Sequence, residues 1–122
     1  MRVLIADDDR DQLAIREMLF ERLGFEVLAA ASRESALEAA RRAAPTCAVV
    51  DLRLPDEESG LQLIRDLKNL NSQMHIFVLS GAKTEKFESL PERALVDDVF
   101  GKGTPSSALL SRLQAMRRLP SS

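Results

Sequence analysis

Short apolar runs alternate with longer amphipathic segments along the whole chain. RVLIA (2–6), FEVLAA (25–30), CAVV (47–50), HIFVL (75–79) and VDDVF (96–100) read as five strands. Several lack polar alternation, as expected of parallel strands covered on both faces. Four segments with helical spacing lie between them, and a fifth follows the last strand.

The first helix is predicted from about Asp11 to Leu23, with Leu13, Ile15, Met18, Leu19 and Leu23 as its apolar side and Gly24 as its stop. Ser32 caps a second helix that Pro45 closes. The third covers roughly Gly60 to Leu70, presenting Leu61, Leu63, Ile64 and Leu67. The fourth, Lys83 to Leu90, is cut short by Pro91, since a helix interior tolerates proline poorly. Thr104 and Pro105 open the last, Ser106 to Leu119. This alternation predicts an open, doubly wound α/β sheet, in which ligands sit outside the carboxyl ends of the strands.

Composition narrows the function. The chain has 122 residues, one domain by length, with a net charge of −2 and no global basic field to hold nucleic acid. Arg112, Arg117 and Arg118 gather late in the last helix, where they suit its negative terminus. Cys47 is the only cysteine, which excludes an internal disulfide and a thiolate metal cluster and fits a small core residue. With no bilayer-length apolar stretch and no signal-peptide pattern, the expected location is cytoplasmic, without membrane contact.

The predicted strand ends carry the chemistry. The first runs into Asp7, Asp8 and Asp9, the third into Asp51, the fourth into Ser80 and Gly81, and the fifth stops shortly before Lys102. The second ends in alanines. Three close carboxylates repel and need a cation or a shared proton, and hard oxygen ligands suit Mg²⁺. A metal, an ammonium, a hydroxyl and a backbone N–H together suit a phosphoryl group. Asp51 is then the plausible nucleophile, able to carry that group as an acyl phosphate. Asp9 or Asp11 fits a cap for the first helix, and Asp97 and Asp98 are expected to face solvent.

These motifs resemble the response-regulator receiver domain of two-component phosphorelays. VLIADDD is similar to the family's first strand and acidic pair, VVDLRLP to its phospho-acceptor segment, FVLSG to its Ser/Thr position and DDVFGKG to its final strand and lysine. The resemblance implies a flavodoxin-like five-stranded parallel sheet of order 2-1-3-4-5 with five helices. It implies a receiver domain over 1–119, with 120–122 as a tail or the start of a linker. Asp51 would be the acceptor. Asp8, Asp51 and the backbone carbonyl of Arg53 would hold Mg²⁺, with Asp7 acting through water. Ser80, Gly81 and Lys102 would bind the phosphoryl group. The donor would be a sensor histidine kinase or phosphotransfer protein, and the output partner or domain is unspecified. A phosphorylation-dependent dimer is compatible with this reading, direct nucleic-acid binding is not expected, and no more than slow self-catalysed turnover is implied. His75, at a strand entrance, reads as a boundary residue.

Departures from the family pattern bear on the switch. PDEESG delays the usual glycine by one position, to Gly60, which changes the loop over the site. Gly103 follows the lysine where proline is usual. Val99 replaces an aromatic lever, and Phe100 has the opposite facing in a strand. With Pro91, this weakens the expectation that output runs through the face of the fourth helix, fifth strand and fifth helix. Arg53 is a candidate shield for the acyl phosphate, or a solvated surface arginine. Two alternatives stay open: a receiver-like interaction module without phosphorylation, and a haloacid-dehalogenase-type phosphohydrolase using Asp97 and Asp98 as its acid pair. Against the second stand the motif order, the short chain and an idle Asp51.

Overall fold

A computed structural model describes residues 1–81, 84–101 and 106–117 of the chain. Five strands, β1 (Arg2–Ala6), β2 (Glu26–Ala30), β3 (Cys47–Asp51), β4 (His75–Ser80) and β5 (Asp98–Gly101), form one parallel sheet of order β2-β1-β3-β4-β5. The helices are α1 (Arg10–Arg22), α2 (Arg33–Ala43), α3 (Glu57–Leu70), α4 (Thr84–Glu88) and α5 (Ser106–Arg117). The architecture is the expected flavodoxin-like one.

The two-residue alternation of a strand divides the core into two layers. On one face, Val3, Ile5, Val49, Phe77 and Leu79 pack against Leu13 and Phe20 of α1 and Leu109 and Leu113 of α5. On the other, Leu4, Ala6, Ala48, Val50, Ile76 and Val78 meet Ala36, Ala39 and Ala40 of α2, Leu61, Leu63, Ile64 and Leu67 of α3, and Phe87 of α4. Cys47 is fully buried, and burial pushes its thiol pKa far up, so it serves as a small core residue. Among the described residues, no helix is long and apolar enough to cross a membrane.

Capping explains most boundaries. The Asp9 carboxylate accepts from the N–H groups of Asp11 and Gln12 and starts α1 one residue before the expected Asp11. Ser32 and Ser35 form a reciprocal cap on α2, and Ala44, left-handed at φ 46°, ends it ahead of Pro45. Asp56 accepts from the Ser59 N–H at 2.8 Å, so α3 begins at Glu57 rather than near Gly60. The fourth helix is shorter than expected: α4 stops at Glu88, and Pro91–Leu95 continue as a 3₁₀ helix, where a proline at the first position loses no helical hydrogen bond. The predicted start at Lys83, the Thr104–Pro105 cap, Arg118 and the extension of α5 to Leu119 lie outside the described residues.

The apolar side of α1 differs from the sequence reading. Ile15 and Met18 are about half exposed, whereas Phe20 is buried against Phe25. Leu13 and Phe20 are seven residues apart, two helical turns, and that spacing selects the inward stripe. Asp97 and Asp98 do not simply face solvent. Asp97 accepts from the Ile76 N–H at 3.2 Å and meets His75 Nδ1 at 2.8 Å, tying β4 to the approach of β5. Asp98 lies 3.9 Å from Arg112, whose guanidinium also covers the Phe77 ring, so Arg112 serves the sheet face rather than the helix end.

Candidate phosphoryl-transfer site at the strand carboxyl ends

Asp7 follows the last residue of β1, while Asp51 and Ser80 are themselves the last residues of β3 and β4. All three are buried, at 1%, 2% and 4% exposure, whereas Asp8 is exposed. The register aligns Ala6 with Val50 and Asp51 with Leu79, which brings these ends to one level of the sheet. Asp7, Asp8 and Asp51 each offer a carboxylate oxygen, and the three oxygens lie within 4.8 Å of one another. At such separations two unit charges repel by roughly 3 kcal/mol with an effective dielectric near 20. A close set of hard oxygen donors of this kind fits a small divalent cation.

Local hydrogen bonds fix the carboxylates. Asp7 Oδ1 accepts from the Asp9 N–H at 2.9 Å, and Asp7 Oδ2 is paired with the Arg16 guanidinium. The Asp7 N–H donates to the Ala30 carbonyl at 3.0 Å, extending the β1–β2 ladder to the site. Asp51 Oδ1 accepts from the Arg53 N–H at 3.1 Å, and the Leu52 N–H donates to the Leu79 carbonyl at 2.9 Å, so the backbone after the acid is held to β4.

Beside the acids a cleft of about 310 Å³ is lined by Leu52, Arg53, Glu57, Ser80, Gly81, Lys86 and Phe87. Arg53 and Gly81 are exposed at it, and Lys86 Nζ stands 3.8 Å from Glu57 across it. Gly60 explains why a glycine is needed although it comes one position late. A Cβ there would lie 1.9 Å from the Leu52 carbonyl oxygen, so only a bare Cα lets α3 approach the segment that carries Asp51.

The structure therefore brings together Asp7, Asp8 and Asp51, and gathers Ser80, Gly81 and Arg53 at the adjoining cleft. Lys102 and Gly103 lie outside the described residues. Val99 is half-buried on the α2–α3 side of the sheet, while Phe100 packs against Phe77 on the other, as the strand alternation requires. Asp97 contacts His75 at the entrance of β4, roughly 16 Å of strand away from Ser80. The phosphohydrolase alternative needed Asp97 at the site, and this placement removes its acid pair. Sequence reasoning missed Glu57, Lys86 and Arg16. Arg16 was legible in principle, because it stands three residues after Leu13 and four before Phe20, on the inward stripe of α1.

The comparisons with known proteins agree with this geometry. The family model of the response regulator receiver domain matches residues 3–114. The chain is 30% identical over 117 residues to the transcriptional regulatory protein PrrA of Mycobacterium bovis, covering 96% of this chain and 50% of that protein. It is 32% identical over 121 residues to the response regulator MprA of Mycobacterium leprae, covering 97% and 51%. It thus spans about half the length of the curated relatives it matches. A CheY-like receiver domain protein from Methanospirillum hungatei superposes with a TM-score of 0.84 at 25% identity, covering 94% of this chain and 91% of that one. With the family model matching residues 3–114 of the 122 and acids at the ends of β1 and β3, the chain belongs to the response regulator receiver domain family.

Proposed function

We propose that this domain accepts a phosphoryl group on Asp51 from a sensor histidine kinase or phosphotransfer protein, and that the modified domain changes its binding to an output partner or domain. The observation that carries the reading is the convergence of Asp7, Asp8 and Asp51 within 4.8 Å, in a chain of the receiver family. A carboxylate oxygen of Asp51 attacks phosphorus, the P–N bond to the donor imidazole breaks, and the imidazole leaves with its electron pair and takes up a proton. The product is an acyl phosphate on Asp51.

In this reading Asp8, Asp51 and the Arg53 carbonyl hold Mg²⁺, with Asp7 acting through water. Bound there, Mg²⁺ would supply positive charge to the carboxylates and to the phosphoryl oxygens. The Ser80 hydroxyl and the Gly81 N–H donate to those oxygens, and Lys102 places an ammonium on them. Arg53, exposed at the rim, shields the acyl phosphate from water. Val99 offers less bulk for an inward lever than an aromatic side chain would. As in other receivers, at most slow self-catalysed gain and loss of the phosphoryl group accompanies this role.

Incubation with Mg²⁺ and phosphoramidate, followed by intact mass, tests the reading. A single base-labile phosphoryl adduct is expected in the wild type and absent in Asp51→Asn. No adduct in the wild type would leave a receiver-like interaction module instead. Arg53→Ala should shorten the lifetime of the adduct; an unchanged lifetime removes Arg53 from the scheme. Sedimentation with and without a phosphoryl mimic tests the dimer.

A further inference from the structure

Arg16 is a charged residue on a helix face that otherwise faces the core. It stands between Leu13 and Phe20 on α1, and its side chain is 14% exposed. Its guanidinium is paired with Asp7 Oδ2, on a carboxylate only 2% exposed whose other oxygen accepts from the Asp9 N–H. Both Asp7 oxygens are therefore engaged within the chain. The same carboxylate belongs to the acid cluster, with an oxygen within 4.8 Å of those of Asp8 and Asp51.

We propose that Arg16 is the resident counter-cation of the acid cluster, one that stabilises the metal-free fold and weakens Mg²⁺ binding. This rests on the cluster being the Mg²⁺ site proposed above. The Arg16 guanidinium brings its positive charge to the cluster whether or not a metal is bound. A guanidinium on one side of the cluster repels a divalent ion on the other, and burial limits the screening of that repulsion. The Arg16 contact at Asp7 Oδ2 and the Asp9 N–H at Oδ1 together hold Asp7 in one orientation, which would leave direct ligation to Asp8 and Asp51. Arg16 is a positioning residue and touches no reacting atom.

The test is calorimetric Mg²⁺ titration of the whole chain, combined with urea unfolding in chelator and in saturating Mg²⁺. Arg16→Met should bind Mg²⁺ roughly tenfold more tightly than wild type. It should be less stable than wild type in chelator and recover most of the difference when Mg²⁺ is saturating. Arg16→Lys, which keeps the charge and replaces the guanidinium with an ammonium, should stay close to wild-type affinity. In an Asp7→Asn background the tightening caused by Arg16→Met should shrink. Should Arg16→Met not fold, Arg16→Gln carries the same expectation.

A purely structural arginine would lower stability equally with and without Mg²⁺ and leave the affinity unchanged. Unchanged or weaker Mg²⁺ binding in these variants, with wild-type binding intact, overturns the proposal alone. No Mg²⁺ binding in wild type or variants overturns the metal site itself.

Discussion

The two sides of the sheet are built to different standards. On the side of β1 and β3, Val3, Leu4, Ile5 and the run Cys47–Val50 are fully buried, and the 14-residue α3 covers the face behind Asp51. On the side of β5, all four strand positions are only half-buried, α4 has five residues, and a 3₁₀ helix with no buried residue fills the rest of the crossover. The acids stand on the thick side, and Ser80 stands where the thin side begins. Local opening costs least where few apolar groups are buried, so the phosphoryl group proposed on Asp51 would move its surroundings at low cost only on the β4–β5 side.

The sharpest break of this contrast is at Gly60. Gly60→Ala places a Cβ 1.9 Å from the Leu52 carbonyl, a backbone atom that cannot step aside without moving the Asp51 segment. A helical glycine replaced by alanine normally gains about 1 kcal/mol; here a loss of about 3 kcal/mol or more is expected, read from the urea midpoint. Wild-type stability would show that α3 does not need this approach, and the thick side would lose its closest contact.

Next in size is a pair of leucines. Leu63 in α3 is fully buried, while Leu95 in the 3₁₀ helix is partly buried against the same cluster. Leu63→Ala should cost about 3 kcal/mol and Leu95→Ala about 1 kcal/mol, because the second site can collapse or admit water. Hydrogen exchange sharpens the same point: β3 amides should exchange only through global unfolding, and β5 amides through a smaller opening. Equal protection of the two strands would erase the contrast.

Much of this was legible in the residues, and the thick side most of all. RVLIA matched β1 residue for residue, and the apolar runs into Asp51 and Ser80 located β3 and β4 because buried parallel strands need no alternation. Leu61, Leu63, Ile64 and Leu67 were recovered as the buried face of α3. Misses fell where tertiary contacts override local pattern. Ile15 and Met18 look like core by composition, yet the rotation of α1 follows Leu13 and Phe20 and brings Arg16 to Asp7. Asp97 looks like a surface acid until His75 arrives from a distant strand. The Glu57–Lys86 approach across the cleft joins two crossovers and leaves no signal in either segment alone.

A smaller effect is expected at Asp56, the cap that moves the start of α3 ahead of Gly60. The Ser59 N–H donating to its carboxylate holds the Asp56 pKa below the usual value. A depressed folded-state pKa adds stability that is present above the unfolded-state value, near 3.9, and is lost as pH falls through the folded-state value. Asp56→Ala should therefore lower the urea midpoint at neutral pH by less than Leu63→Ala does, with the two stability curves converging in acid. A constant gap down to the lowest pH would mean the carboxylate contributes through something other than the cap.

The smallest expected effect is the counterpart of the largest. Gly81 sits at the end of β4 on the thin side, exposed, and among the described residues a Cβ there would have nothing within 4 Å. Gly81→Ala should change stability by no more than about 0.5 kcal/mol, the range of an uninvolved surface substitution. The proposed donor is its backbone N–H, which alanine keeps, so the phosphoryl adduct on Asp51 should still form. A large loss of stability would mean that the β4–α4 turn is packed as tightly as the Gly60 contact, and the two sides would no longer differ in kind. A lost adduct with stability intact would instead show that open space at Gly81, beside Ser80, is needed by the incoming donor. That outcome would make the thin side part of the acceptor chemistry as well as of the response.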